Sequence, residues 1–385
     1  MFNFSGKLRY SCCQKVRCKG HLRYKKMLGA NMNSIVDMKK YGLSDYFLSL
    51  SENFDGLLVS RVILQEKGLY RIVSNRGEKT AEISGKFRYN VLSVSDFPAV
   101  GDFVMVDWNE RGGNAVIQQV LSRRSCFTRR GAGEGKQEQV VATNIDTVFL
   151  CMSLNNDFNM RRLERYLSIA WDSGATPVIV LTKSDLCKDL NEKLSEVSSV
   201  AMGVEILVTT AIKQDGYKQI LPFISEGKTC AFIGSSGVGK STLINRLLGE
   251  ERLDTNGLRN DDKGRHTTTH RELFLLNNSG MVIDTPGMRE LGMWDNSTGV
   301  EKAFSDIEEL VKQCRFRDCT HSSEPECAIC QALESGELDV ERWRSYLKLK
   351  AENAYTEDSE SYLAAKEKRF KEIAKINKTN KRIKR

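Results

Sequence analysis

Residues 234–241 read GSSGVGKS, and this octapeptide governs how the rest of the chain is read. It matches G-x-x-x-x-G-K-[ST] in full. In that pattern glycines let consecutive backbone N–H groups curl around phosphate oxygens, the lysine reaches the β- and γ-phosphates, and the following hydroxyl ligates Mg²⁺. Gly234, Ser235, Ser236, Gly237, Val238 and Gly239 form the cradle, Lys240 is the phosphate lysine, Ser241 is the Mg²⁺ ligand and Thr242 follows at the exit. The flanks supply the required context: KTCAFI (228–233) suits a buried strand, and STLINRLLG (241–249) has helical spacing closed by a glycine.

The elements that would choose a base lie upstream of this loop. PVIVLTKSD (177–185) is an apolar strand running into Thr182, Lys183, Ser184 and Asp185. An Asp carboxylate accepts two hydrogen bonds from the N–H edge of guanine, and adenine offers no matching pair of donors. A second strand, VEILVTT (204–210), ends at Thr210 and Ala211, where a backbone contact to the guanine carbonyl is expected. Downstream come the Thr-rich GRHTTT (264–269) and MVIDTPG (281–287), in which Asp284 would hold Mg²⁺ through water and the Gly287 N–H would sense the γ-phosphate. Four short motifs at strand ends, in spacing that one parallel α/β sheet satisfies, place a guanine nucleotide at the carboxyl ends of the strands. A P-loop ATPase is the competing reading, and it gives Asp185 no role in choosing the nucleotide.

Base recognition thus precedes phosphate recognition, a circular permutation of the usual GTPase order. The chain resembles the RsgA/YjeQ family of circularly permuted GTPases that act on the small ribosomal subunit, over roughly residues 40–350. GEKTAEISGKFR (77–88), DFPAVGDFV (96–104) and SRRSCFTRR (122–130) carry the likeness together with the motifs above. One departure is Thr182, where many GTPases have Asn. The resemblance implies a 30S subunit and 16S rRNA partner, GTP and GDP as ligands, and subunit-stimulated hydrolysis during late maturation.

Met288 follows Gly287, where small GTPases carry a water-orienting Gln, and a thioether cannot orient water. His266 beside the threonines is the candidate catalytic group, since imidazole exchanges protons near neutral pH. The resemblance points to the same histidine. A contact to rRNA, or shaping of the Thr-rich segment, is the alternative role. Thr268 is the favoured switch ligand for Mg²⁺, with Thr267 next.

The chain has 11 cysteines, but a nucleotide-binding protein of this size needs no disulfide staples. Cys126, Cys151, Cys187 and Cys230 sit in or beside apolar runs and read as buried thiols. CRFRDCTHSSEPEC is different, because Cys314, Cys319, His321 and Cys327 fall within fourteen residues and form a complete tetrahedral set for one structural zinc. The spacing also matches the zinc module of the resembled family. A cluster of core cysteines is the plainer alternative, and Cys330 is a spare thiol. Cys12, Cys13, Cys18 and His21 form no ligand set.

At 385 residues several domains are expected. Residues 1–40 read as a basic extension, disordered or not native to the protein. Residues 54–125 hold five β-rich runs (GLLVSRVIL, LYRIVS, TAEISGKF, DFVMVDW, NAVIQQVL), which suit an N-terminal OB-type β-barrel. Arg61, Arg71, Lys86, Arg88 and Tyr89 would form an RNA-binding face on it, or else a solvated charged rim. FTRRGAGEGKQEQ (127–139) reads as a linker or mobile loop, 140–292 as the central permuted P-loop GTPase sheet, 299–355 as a helical zinc-binding module and 356–385 as a basic tail.

Net charge is +8, and ten Lys or Arg between 366 and 385 oppose only Glu367 and Glu372, so phosphate is the natural counterpart. Apolar Phe370, Ile373 and Ile376 are too few for a deep membrane anchor. No export signal or spanning run is evident, and with GTP and reduced thiols this points to the cytoplasm. A monomer is the simpler expectation. The rival to the enzyme reading is a GTP-gated RNA-binding checkpoint module in which hydrolysis is incidental.

Overall fold

The computed structural model describes residues 36–66, 68–91, 93–130, 138–210, 216–250, 252–253, 271–284, 297–322 and 324–352. A short helix, α1 (Asp45–Ser51), precedes strands β1 (Leu58–Glu66), β2 (Leu69–Ser74) and β3 (Gly77–Ile83); helix α2 (Gly85–Asn90) then leads to β4 (Phe103–Asp107) and β5 (Ala115–Val120). β1 pairs with β2, β2 with β3 and β4 with β5, all antiparallel. β3 runs parallel to β5, and β4 returns antiparallel to β1, closing a five-stranded barrel of OB-type order. Val62, Ile72, Ala81, Val104, Val106 and Ile117 fill it and are fully buried. The run TAEISGKF is not one strand throughout. Ser84 ends it, because its hydroxyl accepts a hydrogen bond from the Phe87 N–H at 3.0 Å and caps α2.

The chain then forms an antiparallel ribbon of β6 (Cys126–Arg130) and β7 (Glu138–Thr143). This corrects the linker reading of 127–139 at both ends. The residues that anchor the ribbon, Phe127, Val140, Val141 and Ala142, are buried at or beyond the edges of the Gly-rich run, which therefore conceals two short strands.

The second sheet comprises β8 (Thr147–Ser153), β9 (Thr176–Thr182), β10 (Glu205–Val208), β11 (Thr229–Ile233), β12 (Arg271–Leu275) and β13 (Met281–Asp284), in spatial order β10-β9-β8-β11-β13-β12. All neighbours are parallel except β12, which runs antiparallel to β13. Burial on both faces explains why β8, β9 and β11 read as continuous apolar runs. Helices α3 (Met160–Ser173) and α4 (Leu190–Val200) connect parallel strands, and α5 (Lys240–Leu248) follows β11. Cys151 and Cys230 are buried as expected, whereas Cys126 and Cys187 are half-buried.

Helices α6 (Ser297–Ala303), α7 (Ser305–Lys312), α8 (Ala328–Ser335) and α9 (340–352) follow. α6 lies so close to α3 that a Cβ on Gly299 would fall 2.2 Å from Asp172 Oδ1 and 2.3 Å from the Ser168 carbonyl. Glu164 of α3 is fully buried and takes Arg161 at 2.7 Å and Arg342 of α9 at 3.0 Å, while Arg342 also holds Asp306 at 2.6 Å. Among the described residues no helix is long and apolar enough to cross a membrane.

Residues 36–40, grouped by charge with the extension, belong to the fold. Met38 is 3% exposed in the main core, and the Val36 N–H donates to the Asn75 carbonyl at 3.1 Å. Residues 1–35 and the tail from 353 lie outside the described residues.

Barrel and sheet are continuous. β1 pairs with β12 through Leu64 opposite Glu272 and Gln65 opposite Arg271. Beneath that joint sits Arg61 of β1, at 1% exposure, which corrects its assignment to an RNA-binding face. Its guanidinium donates to the carbonyls of Tyr41 (2.7 Å), Gly101 (3.2 Å) and Asn144 (3.4 Å) and to Thr229 Oγ1 (2.9 Å), and it lies over the Phe103 ring. Burial lowers its pKa to about 10 against the pull of Asp146 and Asp102, so it stays charged at neutral pH. Arg71, Lys86, Arg88 and Tyr89 are exposed, Tyr89 at 90%.

Arg61→Met preserves much of the volume but strands several buried acceptors. Urea unfolding is expected to show a loss of about 3–5 kcal/mol. Arg61→Lys should recover part of it, because one ammonium group cannot reach all the partners.

Candidate functional site

The carboxyl ends of β8, β9, β11 and β13 converge on the phosphate loop. β11 delivers the chain into Gly234, and α5 begins at Lys240 after Gly239, whose left-handed backbone (φ 107°) turns the loop into the helix. Gly234 is required by space, since a Cβ there would sit 2.6 Å from the Cys151 carbonyl of β8. Lys240 Nζ donates to the carbonyls of Gly234 (2.6 Å) and Ser235 (2.7 Å), so its ammonium lies across the mouth of the loop. Ser241 and Thr242 are half-buried in the first turn of α5. Asp284 ends β13, the parallel neighbour of β11.

At the end of β9, Thr182 is 4% exposed, and its hydroxyl donates to the Val238 carbonyl at 2.6 Å. The end of the strand that leads into Lys183, Ser184 and Asp185 is thereby tied to the phosphate loop. Lys183 adopts a left-handed backbone (φ 57°) that turns the chain out of the sheet. The Ser184 N–H donates to the Thr209 carbonyl at 3.2 Å, and the exposed Asp185 accepts the Thr210 hydroxyl at 2.5 Å. Two sequence segments read separately are thus bonded side by side. Ala211, His266, Thr267, Thr268 and Gly287 lie outside the described residues.

Sequence reasoning missed Asp157, in the turn between β8 and α3. Its Oδ2 accepts the Ser235 hydroxyl at 2.5 Å, and its carboxylate accepts Arg162 Nη1 at 2.9 and 2.8 Å. Burial acts to raise its pKa, but the Ser235 and Arg162 hydrogen bonds and the charges of Arg162 and Lys183 together hold it below the ordinary value. The signal was present as Asn155, Asp157 and Asn159 spaced by two, a pattern of turn and cap residues with no chemistry of its own.

The second constellation lies between α7 and α8. Ligand atoms of Cys314, Cys319, His321 and Cys327 lie within 4.8 Å of one another. Cys314 Sγ is 3.6 Å from His321 Nδ1 and 3.9 Å from Cys327 Sγ, and Cys327 Sγ is 3.5 Å from the same nitrogen. A tetrahedral centre with metal–sulfur bonds of about 2.3 Å requires edges of roughly this length, so the donor set fits a metal ion. His321 takes a left-handed backbone (φ 58°), and its ring meets Trp343 of α9 edge-on at 5.7 Å. Glu324 shapes the loop by accepting from the Thr320 N–H (2.8 Å), the Thr320 hydroxyl (2.5 Å) and the Ser322 N–H (3.0 Å). Although burial raises the Cys327 thiol, hydrogen bonds from the Cys330 backbone and the His321 ring bring it to about 6, toward the thiolate a metal needs. Cys330 Sγ approaches the His321 carbonyl at 3.6 Å and stands outside the four-ligand set.

The family model described as RsgA GTPase matches residues 120–294. Small ribosomal subunit biogenesis GTPase RsgA 2 of Lactiplantibacillus plantarum is 47% identical over 83% of this chain and 90% of its own length. The chain belongs to the RsgA GTPase family. RsgA 1 of Oceanobacillus iheyensis is 44% identical over 85% of this chain and 95% of its own. The crystal structure of YjeQ from Thermotoga maritima superposes with TM-score 0.58 at 26% identity, covering 77% of this chain and 99% of that one. That of YloQ, a circularly permuted GTPase, gives TM-score 0.56 at 25% identity, with coverage of 78% and 96%. An ABC transporter model also matches residues 218–377, a span that includes the phosphate loop common to P-loop proteins but neither β8 nor β9. The permuted order read from the motifs is therefore the order of an RsgA-type chain.

Because a methyl group on Gly234 collides with a backbone carbonyl that cannot retreat without moving β8, Gly234→Ala should shift the loop. Titration with a fluorescent GDP analogue is expected to show binding weakened at least about tenfold, or about 1.4 kcal/mol.

Proposed function

We propose that this chain is a GTP hydrolase that serves as an assembly factor in late maturation of the 30S subunit, binding 16S rRNA, with turnover stimulated by the subunit. The observation that carries this reading is the joining of TKSD, the phosphate loop and Asp284 at the ends of one sheet, in a chain related along most of its length to small ribosomal subunit biogenesis GTPases.

Gly234–Thr242 hold the phosphates, with Gly287 at the γ-phosphate. Thr182, Lys183, Ser184 and Asp185, with Thr210 and Ala211, form the guanine site, and the Thr182 hydroxyl also ties it to the phosphate loop through Val238. The Asp185 carboxylate, already positioned by Thr210, selects guanine over adenine through its paired N–H donors. Ser241, Thr268 and Asp284 would hold Mg²⁺, which when bound offsets the charge on the β- and γ-phosphate oxygens. His266 is the group that handles the attacking water. Cys314, Cys319, His321 and Cys327 hold one structural zinc, because a closed set of three thiolates and an imidazole leaves no open position for chemistry.

Arg71, Lys86, Arg88 and Tyr89 give the barrel an exposed cationic and aromatic surface suited to RNA, and the basic tail adds phosphate contacts. The protein works as a cytoplasmic monomer on the subunit.

GTP turnover measured with ATP as competitor, with and without 30S subunits, tests the proposal. Slow GTP-specific hydrolysis that rises sharply with subunits is expected, and a rate unchanged by subunits overturns the assignment. His266→Ala should cut the stimulated rate by about a hundredfold while GDP still binds. Asp185→Asn should reduce the preference for GTP over ATP by at least about a hundredfold.

A further inference from the structure

The turn between β8 and α3 is built more tightly than a connection needs to be. Asn155 accepts the Ser153 hydroxyl at 2.8 Å and the Asp157 N–H at 3.1 Å, which fixes an Asx turn. Asn159 accepts the Arg162 N–H at 3.0 Å and caps α3. The Leu154 N–H donates to the Thr182 carbonyl at 2.9 Å, and Lys193 of α4 donates to the Leu154 carbonyl at 3.2 Å while lying over the Phe158 ring. Asn155 therefore fixes the backbone at Asp157, and bonds to β9 and α4 fix the turn around it, where it meets Ser235.

A carboxylate beside a phosphate-binding loop calls for explanation, since it repels the ligand. Its charge is offset here by Arg162, which touches both oxygens, and by Lys183 nearby. What remains is a strong acceptor aimed at Ser235, the second residue of the loop. The same residue's carbonyl takes Lys240 from the other side. Thr182 holds Val238, four residues beyond Gly234. The loop is thus braced from the turn after β8 through Asp157, from β9 through Thr182 and from within through Lys240.

We propose that Asp157 is a positioning residue for nucleotide binding, which latches the phosphate loop through the Ser235 hydroxyl and keeps its backbone N–H groups preset for phosphate. A preset loop binds more tightly because its ordering cost has been met in folding. The latch serves ground state and transition state alike, so it acts on KM and leaves kcat alone. This rests on the GTP-hydrolase reading only in using GTP and GDP as probes.

The test is a double-mutant cycle in the full-length chain, with Kd for a fluorescent GDP analogue and KM and kcat for GTP. Ser235→Ala and Asp157→Ala should each weaken GDP binding about tenfold, a hydrogen bond to a charged group being at stake, and Asp157→Ala should raise KM by the same factor with kcat unchanged. The double variant should be no weaker than the worse single one. Asp157→Asn keeps an acceptor and should fall between wild type and Asp157→Ala. Effects that multiply to about a hundredfold in the double variant mean that the two side chains act separately, and overturn the latch. So does a normal Ser235→Ala beside a defective Asp157→Ala, which would place the carboxylate's action at Lys183. If Asp157→Ala does not fold, Ser235→Ala with Asp157→Asn completes the cycle. Absence of GTP turnover in wild type, with GDP binding intact, would remove the hydrolase reading and leave the Kd cycle valid.

Discussion

A single buried guanidinium organises the junction on which the site depends. Arg61 belongs to the barrel, yet its donors are spent on Tyr41 from the N-terminal turn, Asn144 just before β8 and Thr229 at the start of β11. Those two strands lie side by side at the centre of the nucleotide-binding sheet and carry the phosphate loop and Asp157 at their far ends. An isolated buried charge is costly, and this one is offset by carbonyl dipoles, the Phe103 ring and the nearby carboxylates of Asp146 and Asp102. Apolar packing would seal the same joint without fixing its geometry, whereas a planar fork of donors accepts few arrangements of its partners.

Helix α3 extends the same logic across the molecule. Its first turn holds Arg162 on Asp157 at the phosphate loop, its middle buries Glu164 between Arg161 and Arg342, and its last turns receive α6 at Gly299. The nucleotide loop and the cysteine–histidine cluster thus share a support, because Arg342 lies on the helix whose Trp343 meets His321. Burying Glu164 costs solvation, and two guanidinium partners recover it.

The parts of this protein legible in its sequence are those whose chemistry is local. GSSGVGKS, TKSD and the cysteine–histidine run each need fixed residue types at fixed spacing, and each is found folded with its members adjacent. The barrel was legible because short β-rich runs are separated by turns that carry Gly, Asn and Asp. Arg61 was misread because nothing in LVSRVILQE distinguishes an arginine facing RNA from one facing another domain. The bond from Thr182 to the phosphate loop was not legible for a related reason, since its partner Val238 lies 56 residues away. Asp157 was overlooked because an Asn-rich turn draws attention to backbone geometry and away from what the middle carboxylate can reach.

The pairing of β1 with β12 also joins segments that are made far apart in time. The barrel's strands close among near neighbours in sequence, but Arg61 must wait for Thr229, 168 residues on, and for Met281, whose sulfur it meets 220 residues on. A chain emerging from its N-terminus can close the barrel early, while this arginine still stands in water beside an unpaired strand edge. Synthesis of β12 and β13 brings the partners that dry it and cover that edge. Docking of the two halves is then the step that covers Leu64 and Gln65, the part of β1 that pairs with β12 and not with β4.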